Sequence, residues 1–159
     1  MTTSLRDDLS MNSLVIDHQD GLCVYAIERV QLQVGDGVLD LEVFAEENTE
    51  CALGFLPAPI LYIEGFAVPH ASLDSLEEVE LAQSQGSDAE IALRENRTGS
   101  VMRIYMGGHY FLDNNRVRIQ RTSPGSFSIE WTADAEDFNY YDERALRNSV
   151  RLRCECEVN

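Results

Sequence analysis

Three histidines, four cysteines and 28 carboxylates are the groups in this 159-residue chain able to move protons, hold a metal or attack a substrate. Acid–base chemistry needs several such groups in one place, together with a positioned substrate. The histidines are far apart in sequence. His18 sits between Asp17 and Asp20, His70 follows Pro69, and His109 follows the pair Gly107 and Gly108. Each reads as an ordinary surface or loop histidine. The chain has no G-x-S-x-G elbow, no phosphate-binding Walker loop and no H-E-x-x-H pair, so the enzyme classes readable from such motifs lose support. Glu64 interrupts the most apolar run, where a carboxylate driven into a core would have a raised pKa and serve as an acid or base. Gly65 follows it, and an outward position at a strand end that leaves it hydrated is the stronger reading.

Cys23, Cys51, Cys154 and Cys156 are even in number, but a chain with 44% hydrophobic residues has no need of disulfide staples. Reduced, packed thiols are expected. Cys154 and Cys156 are two apart in an alternating pattern, which puts both on one strand face about 7 Å apart. No second Cys or His pair stands at zinc-ligand spacing, so no metal and no cofactor is expected. The stretch Asp134 to Glu143 offers five carboxylates with Asn139, Phe138, Tyr140 and Tyr141. As a calcium loop it departs from the EF-hand pattern in spacing and lacks the required glycine. As a recognition loop it offers large aromatic contact residues beside charge.

Charge is the most informative feature of the composition. All 12 basic residues are arginine, a bias that GC-rich bacterial coding produces without functional pressure, and the formal net charge is −16. Residues 1–100 hold 19 acids against 4 arginines, whereas residues 101–159 hold 9 against 8. Between Arg29 and Arg94 there is no basic residue and there are 13 carboxylates, a stretch that makes a negative face if the fold gathers it on one side. Such a chain is not built to coat nucleic acid. It has no apolar run of the roughly 20 residues a membrane-spanning helix needs, and its first residues lack the pattern of a secretory signal. A cytoplasmic location is expected.

Period-two alternation dominates the elements that must position these groups. Leu39, Leu41, Val43 and Ala45 alternate with Asp40, Glu42, Phe44 and Glu46. Phe127, Ile129 and Trp131 repeat the pattern, with Trp131 facing the core, and so do Val150, Leu152, Cys154, Cys156 and Val158. Three short runs read as turns between strands: Gly35 to Gly37, Asn114 with Asn115, and Ser123 to Gly125. The apolar run Ile60 to Val68 predicts a central strand covered on both faces, hence two layers. Ser72 to Gly86 is the best helix candidate, with Ser75 and Glu78 as a capping box, although the alternation from Glu78 to Leu81 reads equally as a strand. The expected architecture is mainly β: one domain over residues 1–159, with residues 1–12 as a flexible N-terminal segment. It is an antiparallel β-sandwich or curled sheet of about eight to ten strands with one or two short helices.

These features together predict a binding protein, not an enzyme. The expected partner is a basic protein that the chain neutralises or escorts, as a bacterial immunity-type inhibitor does, with neither nucleic acid nor membrane involved. The expected contact residues are Glu46, Glu47 and Glu50 in the acidic stretch and Asp137, Phe138, Tyr140, Tyr141 and Asp142 in the aromatic loop. The competing expectation is a ligand-binding β-sandwich for sugar or calcium, with Trp131, Tyr140, Tyr141 and His109 as contacts, or an enzyme without a recognisable motif.

Overall fold

The structure is a computed structural model, and it describes residues 11–83, 101–135 and 148–158. Nine strands make up nearly all of it: β1 (Ser13–His18), β2 (Gly21–Gly35), β3 (Val38–Ala45), β4 (Ile60–Ala67), β5 (Glu78–Gln83), β6 (Val101–Tyr105), β7 (His109–Ser123), β8 (Ser126–Ala135) and β9 (Asn148–Glu157). Every pairing is antiparallel. Around the ring the order is β1, β2, β3, β4, β6, β7, β8, β9, and β9 then pairs with β1, placing Leu14 opposite Leu152 and Ile16 opposite Val150. The sheet is thus an up-and-down barrel of eight strands. β5 lies beside the ring on the second half of β7, with Val79 opposite Ile119 and Leu81 opposite Val117.

The barrel corrects the expected sandwich or curled sheet. Alternation fixes which side chains face inward, and a sheet that closes on itself buries that face without a second layer. Two 15-residue strands make the closure possible by changing partner along their length. β2 gives its first residues to β1 and, after an irregularity between Ile27 and Arg29, the rest to β3. β7 pairs on one edge first with β6 and then with β5. β4 is central, between β3 and β6, but its outer residues Ile60, Tyr62 and Glu64 are only half-buried, and no described element stacks on it as a second layer.

Local chemistry explains two of the turns. Asp36 and Gly37 both have positive φ, 51° and 75°, as a two-residue hairpin turn matching strand twist demands, and Gly125 takes φ 78° after Pro124. Asn114 and Asn115 do not form the expected turn. Asn114 has φ 49° inside continuous β7, at a shift in the β7–β8 register, so the pair is a bulge. The expected helix over Ser72 to Gly86 is also absent as such. Leu73–Ser75 makes one 3-10 turn, the Ser75 hydroxyl donates to the Ser72 carbonyl instead of capping, and Glu78 begins β5. Pairing with β7 outweighs the local helical preference; Gly86 lies outside the described residues.

The barrel is filled with side chains. Trp131, Phe127, Leu14, Ile16, Leu39, Leu41, Leu61 and Ile63 are all fully buried, each worth roughly 1.5–3 kcal/mol of apolar burial. Trp131 needs a partner for its indole N–H. The bulge supplies one: Nε1 donates to Asn115 Oδ1 at 2.9 Å, while Asn115 Nδ2 donates to the Leu112 carbonyl at 2.8 Å. Burial pushes the thiols of Cys154 and Cys156, side by side on the inner face of β9, up to about 12 and about 11.

Candidate functional site

The end of the barrel with the β1–β2 turn, the segment 46–59 and the β6–β7 turn carries the most distinctive surface, and it is built from the β1–β2 hairpin upward. The turn is closed by His18, whose side chain is wholly buried and whose Nδ1 accepts the Asp20 N–H at 3.1 Å. Gly21 follows with φ 138°, a conformation that side-chain-bearing residues rarely adopt. In β2 the residues alternate, with Cys23 and Tyr25 inward and Leu22 and Val24 outward. Leu22 stands opposite Asp17 and Val24 opposite Val15. Leu22 is 43% and Val24 46% exposed, high for aliphatic residues on a paired strand.

The segment after β3 runs against this hairpin. The Glu46 N–H donates to the Ala26 carbonyl at 2.8 Å, Asn48 Nδ2 donates to the Val24 carbonyl at 2.8 Å, and Asn48 Oδ1 accepts the Glu50 N–H at 3.1 Å. Glu46, Glu47 and Glu50 are therefore held beside Val24, exposed, with Asp17 and Asp20 on the neighbouring hairpin. Among the described residues none of Asp17, Glu46, Glu47 and Glu50 has an ion pair. The segment is pinned from beneath. Leu53 is fully buried and donates its N–H to Cys23 Sγ at 3.3 Å, and Cys51 Sγ donates to the Tyr25 hydroxyl at 3.5 Å. A side chain at Gly54 would run into the Thr49 backbone, so the chain is tightly folded there. Phe55 projects from this anchored loop with 68% of its surface exposed.

Beneath the loop the thiols differ. Burial and its hydrogen bond to Cys51 raise Cys23. At Cys51 burial works upward too, but hydrogen bonds with Cys23 and Tyr25 outweigh it and hold the thiol below its ordinary value. Burial and the same thiols push the Tyr25 hydroxyl strongly upward.

The described part of the acidic stretch that follows Arg29 is spread around the barrel, not collected on one face, because it spans several successive strands, and Asp88 and Glu90 lie outside the described residues. Glu46, Glu47 and Glu50 are at the end just described. Asp36, Asp74 and Glu77 are at the other end, Asp40, Glu42 and Glu64 point outward from β3 and β4, and Glu78 and Glu80 lie on β5. Glu64 is half-exposed and bound to Arg103 at 2.6 Å, the surface position expected of it. Around it is a face already matched within itself. Arg103 lies over Tyr62 at 4.2 Å and contacts His109, His109 packs on Tyr105 at 4.9 Å, and Arg29 lies over Phe44 at 4.0 Å.

Asp137, Phe138, Tyr140, Tyr141 and Asp142, and the calcium reading of their loop, fall outside the described residues. Trp131, a candidate sugar contact, faces the interior with its N–H already bonded. Among the described residues no three His, Cys, Asp or Glu side chains gather as a metal site would require. Leu22, Val24 and Phe55 were not legible as surface residues. Both alternating sets at the start of β2 contain apolar residues, so periodicity does not say which set faces out. Compared with protein-family models, curated proteins and solved structures, the chain finds no match.

Proposed function

We propose that this chain is a binding protein that docks a basic protein on the surface formed by Leu22, Val24 and Phe55 with Asp17, Asp20, Glu46, Glu47 and Glu50, and so neutralises or escorts it in the cytoplasm, as an immunity-type inhibitor does. The observation that carries this reading is the exposed Leu22–Val24 pair on a fixed hairpin, with unpaired carboxylates held beside it by the Asn48 hydrogen bonds. Covering what remains exposed of each aliphatic side chain contributes about 1 kcal/mol, and Phe55 contributes more. The carboxylates supply direction. In a chain of net charge −16 they draw in a basic surface and speed encounter, while the apolar centre sets the lifetime of the complex. Neither nucleic acid nor membrane has a part in this reading.

The test is surface plasmon resonance with a basic partner co-purified from native cells. Reversing Glu46, Glu47 and Glu50 to arginine should slow association at low salt and leave dissociation nearly unchanged. Replacing Leu22 and Val24 with serine should speed dissociation by an amount near 2 kcal/mol if either is a hot spot. Association untouched by the triple reversal reduces the carboxylates to a solubility feature and removes the main support for a basic partner.

A further inference from the structure

A second surface lies on the outer face of β5, β7, β8 and β9, and its row through Arg151 continues across Val15 of β1 to Val24 of the first. Register aligns its side chains in rows. Arg116 stands opposite Thr132, and Thr132 opposite Arg151; in the next row Arg118 stands opposite Glu130, and Glu130 opposite Arg153. These residues line a groove of about 920 Å³. β5 adds Ala82 beside Arg116, whose small side chain leaves that end of the row open, and Glu80 beside Arg118.

The two rows differ in how their charge is met. Arg118 is bound to Glu78 at 2.9 Å, and Arg153 lies 4.0 Å from Glu130. Arg116 and Arg151 have no ion pair among the described residues, although the chain carries 28 carboxylates for 12 arginines. With acids in such excess, two unmatched guanidiniums on one row are conspicuous. They stand two strands apart, about 10 Å between backbones, and long side chains can converge over the Thr132 hydroxyl between them. A planar guanidinium presents paired N–H donors that fit two oxygens of a phosphate at once, and a hydroxyl adds a further donor. The lining carries four guanidiniums against Glu80 and Glu130, while Glu78 engages Arg118 and Asp134 follows Thr132 by two residues on β8, so the attraction for an anion is that of the two unmatched guanidiniums themselves. The volume of the groove lies within the usual range for small-molecule pockets, which leaves room beside the phosphate for the organic part of an ester.

We propose that this groove binds a phosphate group through Arg116, Arg151 and Thr132, the rest of a phosphate monoester lying along the row toward Ala82. The paired arginines Arg118 and Arg153 wall the groove and do not hold the ligand.

The experiment titrates the full chain, labelled with nitrogen-15, with inorganic phosphate, adenosine 5′-monophosphate and O-phosphoserine at physiological salt. Saturable shifts at the amides of Arg116, Thr132 and Arg151 are expected. R116Q and R151Q should each weaken binding about tenfold, and the double variant should abolish it, whereas R118Q and R153Q should change it by no more than about threefold. An ester that binds more tightly than inorganic phosphate identifies the source as an organic phosphate; equal affinities assign recognition to the phosphate group alone. No saturable response to any of the three probes overturns the proposal, as does an equal loss in R118Q or R153Q, which would mark general attraction to a basic face. All four arginines project outward, and an unchanged amide spectrum elsewhere shows that each variant has folded.

Discussion

The β1–β2 hairpin and the β7–β8–β9 face use the same outward positions of the same barrel in opposite ways. On the hairpin the outward residues Leu22 and Val24 are aliphatic, and the charge beside them is supplied by the adjoining segment 46–50 and by Asp17 and Asp20. On the other face the outward positions are themselves charged, and β5 and β8 return carboxylates to Arg118 and Arg153. An aliphatic surface gains free energy by losing water to any well-shaped partner, so its selectivity must come from the charges around it. A lattice of matched charges gains little by being covered, and only its unmatched members, Arg116 and Arg151, have donors to offer. A barrel wall can thus carry two unlike surfaces without altering its interior.

The largest expected effect breaks both regions together, since both rest on one interior. Trp131→Ala removes the biggest buried side chain and leaves Asn115 Oδ1 without its donor. It should cost about 3–5 kcal/mol in urea unfolding, with both surfaces lost as the barrel loosens. A loss under about 1 kcal/mol would mean that the two faces do not share a packed core.

Alkaline pH should come next. Cys154 and Cys156, beneath the arginine face, are raised to about 12 and about 11 from an ordinary 9.0. The unfolded chain therefore releases these protons first. Their contribution to stability is complete below pH 9 and is lost as pH climbs through 11 to 12. Thiol labelling at mild pH sharpens the contrast, because Cys51 at the docking end, half-exposed and held below its ordinary value, should react first while Cys154 and Cys156 wait for unfolding. Equal labelling rates would contradict it.

Salt should act more gently. Screening shortens to about 3 Å at 1 M, and the melting temperature should rise by a few degrees as unpaired carboxylates stop repelling one another. A flat or falling curve would show that repulsion among them does not limit stability. The most local effect belongs to Leu22→Ser with Val24→Ser, which should cost about 1 kcal/mol per site, because a little over half of each side chain is already covered. A larger loss would place them in the folding core and remove them from the docking surface.

The β content, the inward sets of β3, β8 and β9, and the burial of Trp131, Cys154 and Cys156 were legible, because one face of an antiparallel sheet must alternate. Closure was not. The hairpins of a curled sheet and of a barrel carry the same pattern, and only the β9–β1 pairing distinguishes them. Asn114 and Asn115 read as a turn because asparagine tolerates positive φ, which a bulge also requires. Of the expected contacts, Glu46, Glu47 and Glu50 lie beside the exposed Leu22–Val24 pair, but that apolar pair was hidden, since Leu22 and Val24 have the same apolar character as inward residues. The row Arg116–Thr132–Arg151 was hidden for another reason: it is a property of register between strands distant in sequence.

The pairing of β1 with β9 also sets the order in which this protein can be made. Leu14 meets Leu152 across nearly the whole length of the chain, so a ribosome must finish β9 before β1 finds its second neighbour. Until then β1 and β8 each present a bare row of amide and carbonyl groups, the kind of edge on which unrelated chains zip together. Ring closure over so long a loop is slow as well as late. The nascent chain is therefore most prone to aggregate just before its last strand arrives, and its excess of negative charge keeps neighbouring chains apart during that interval.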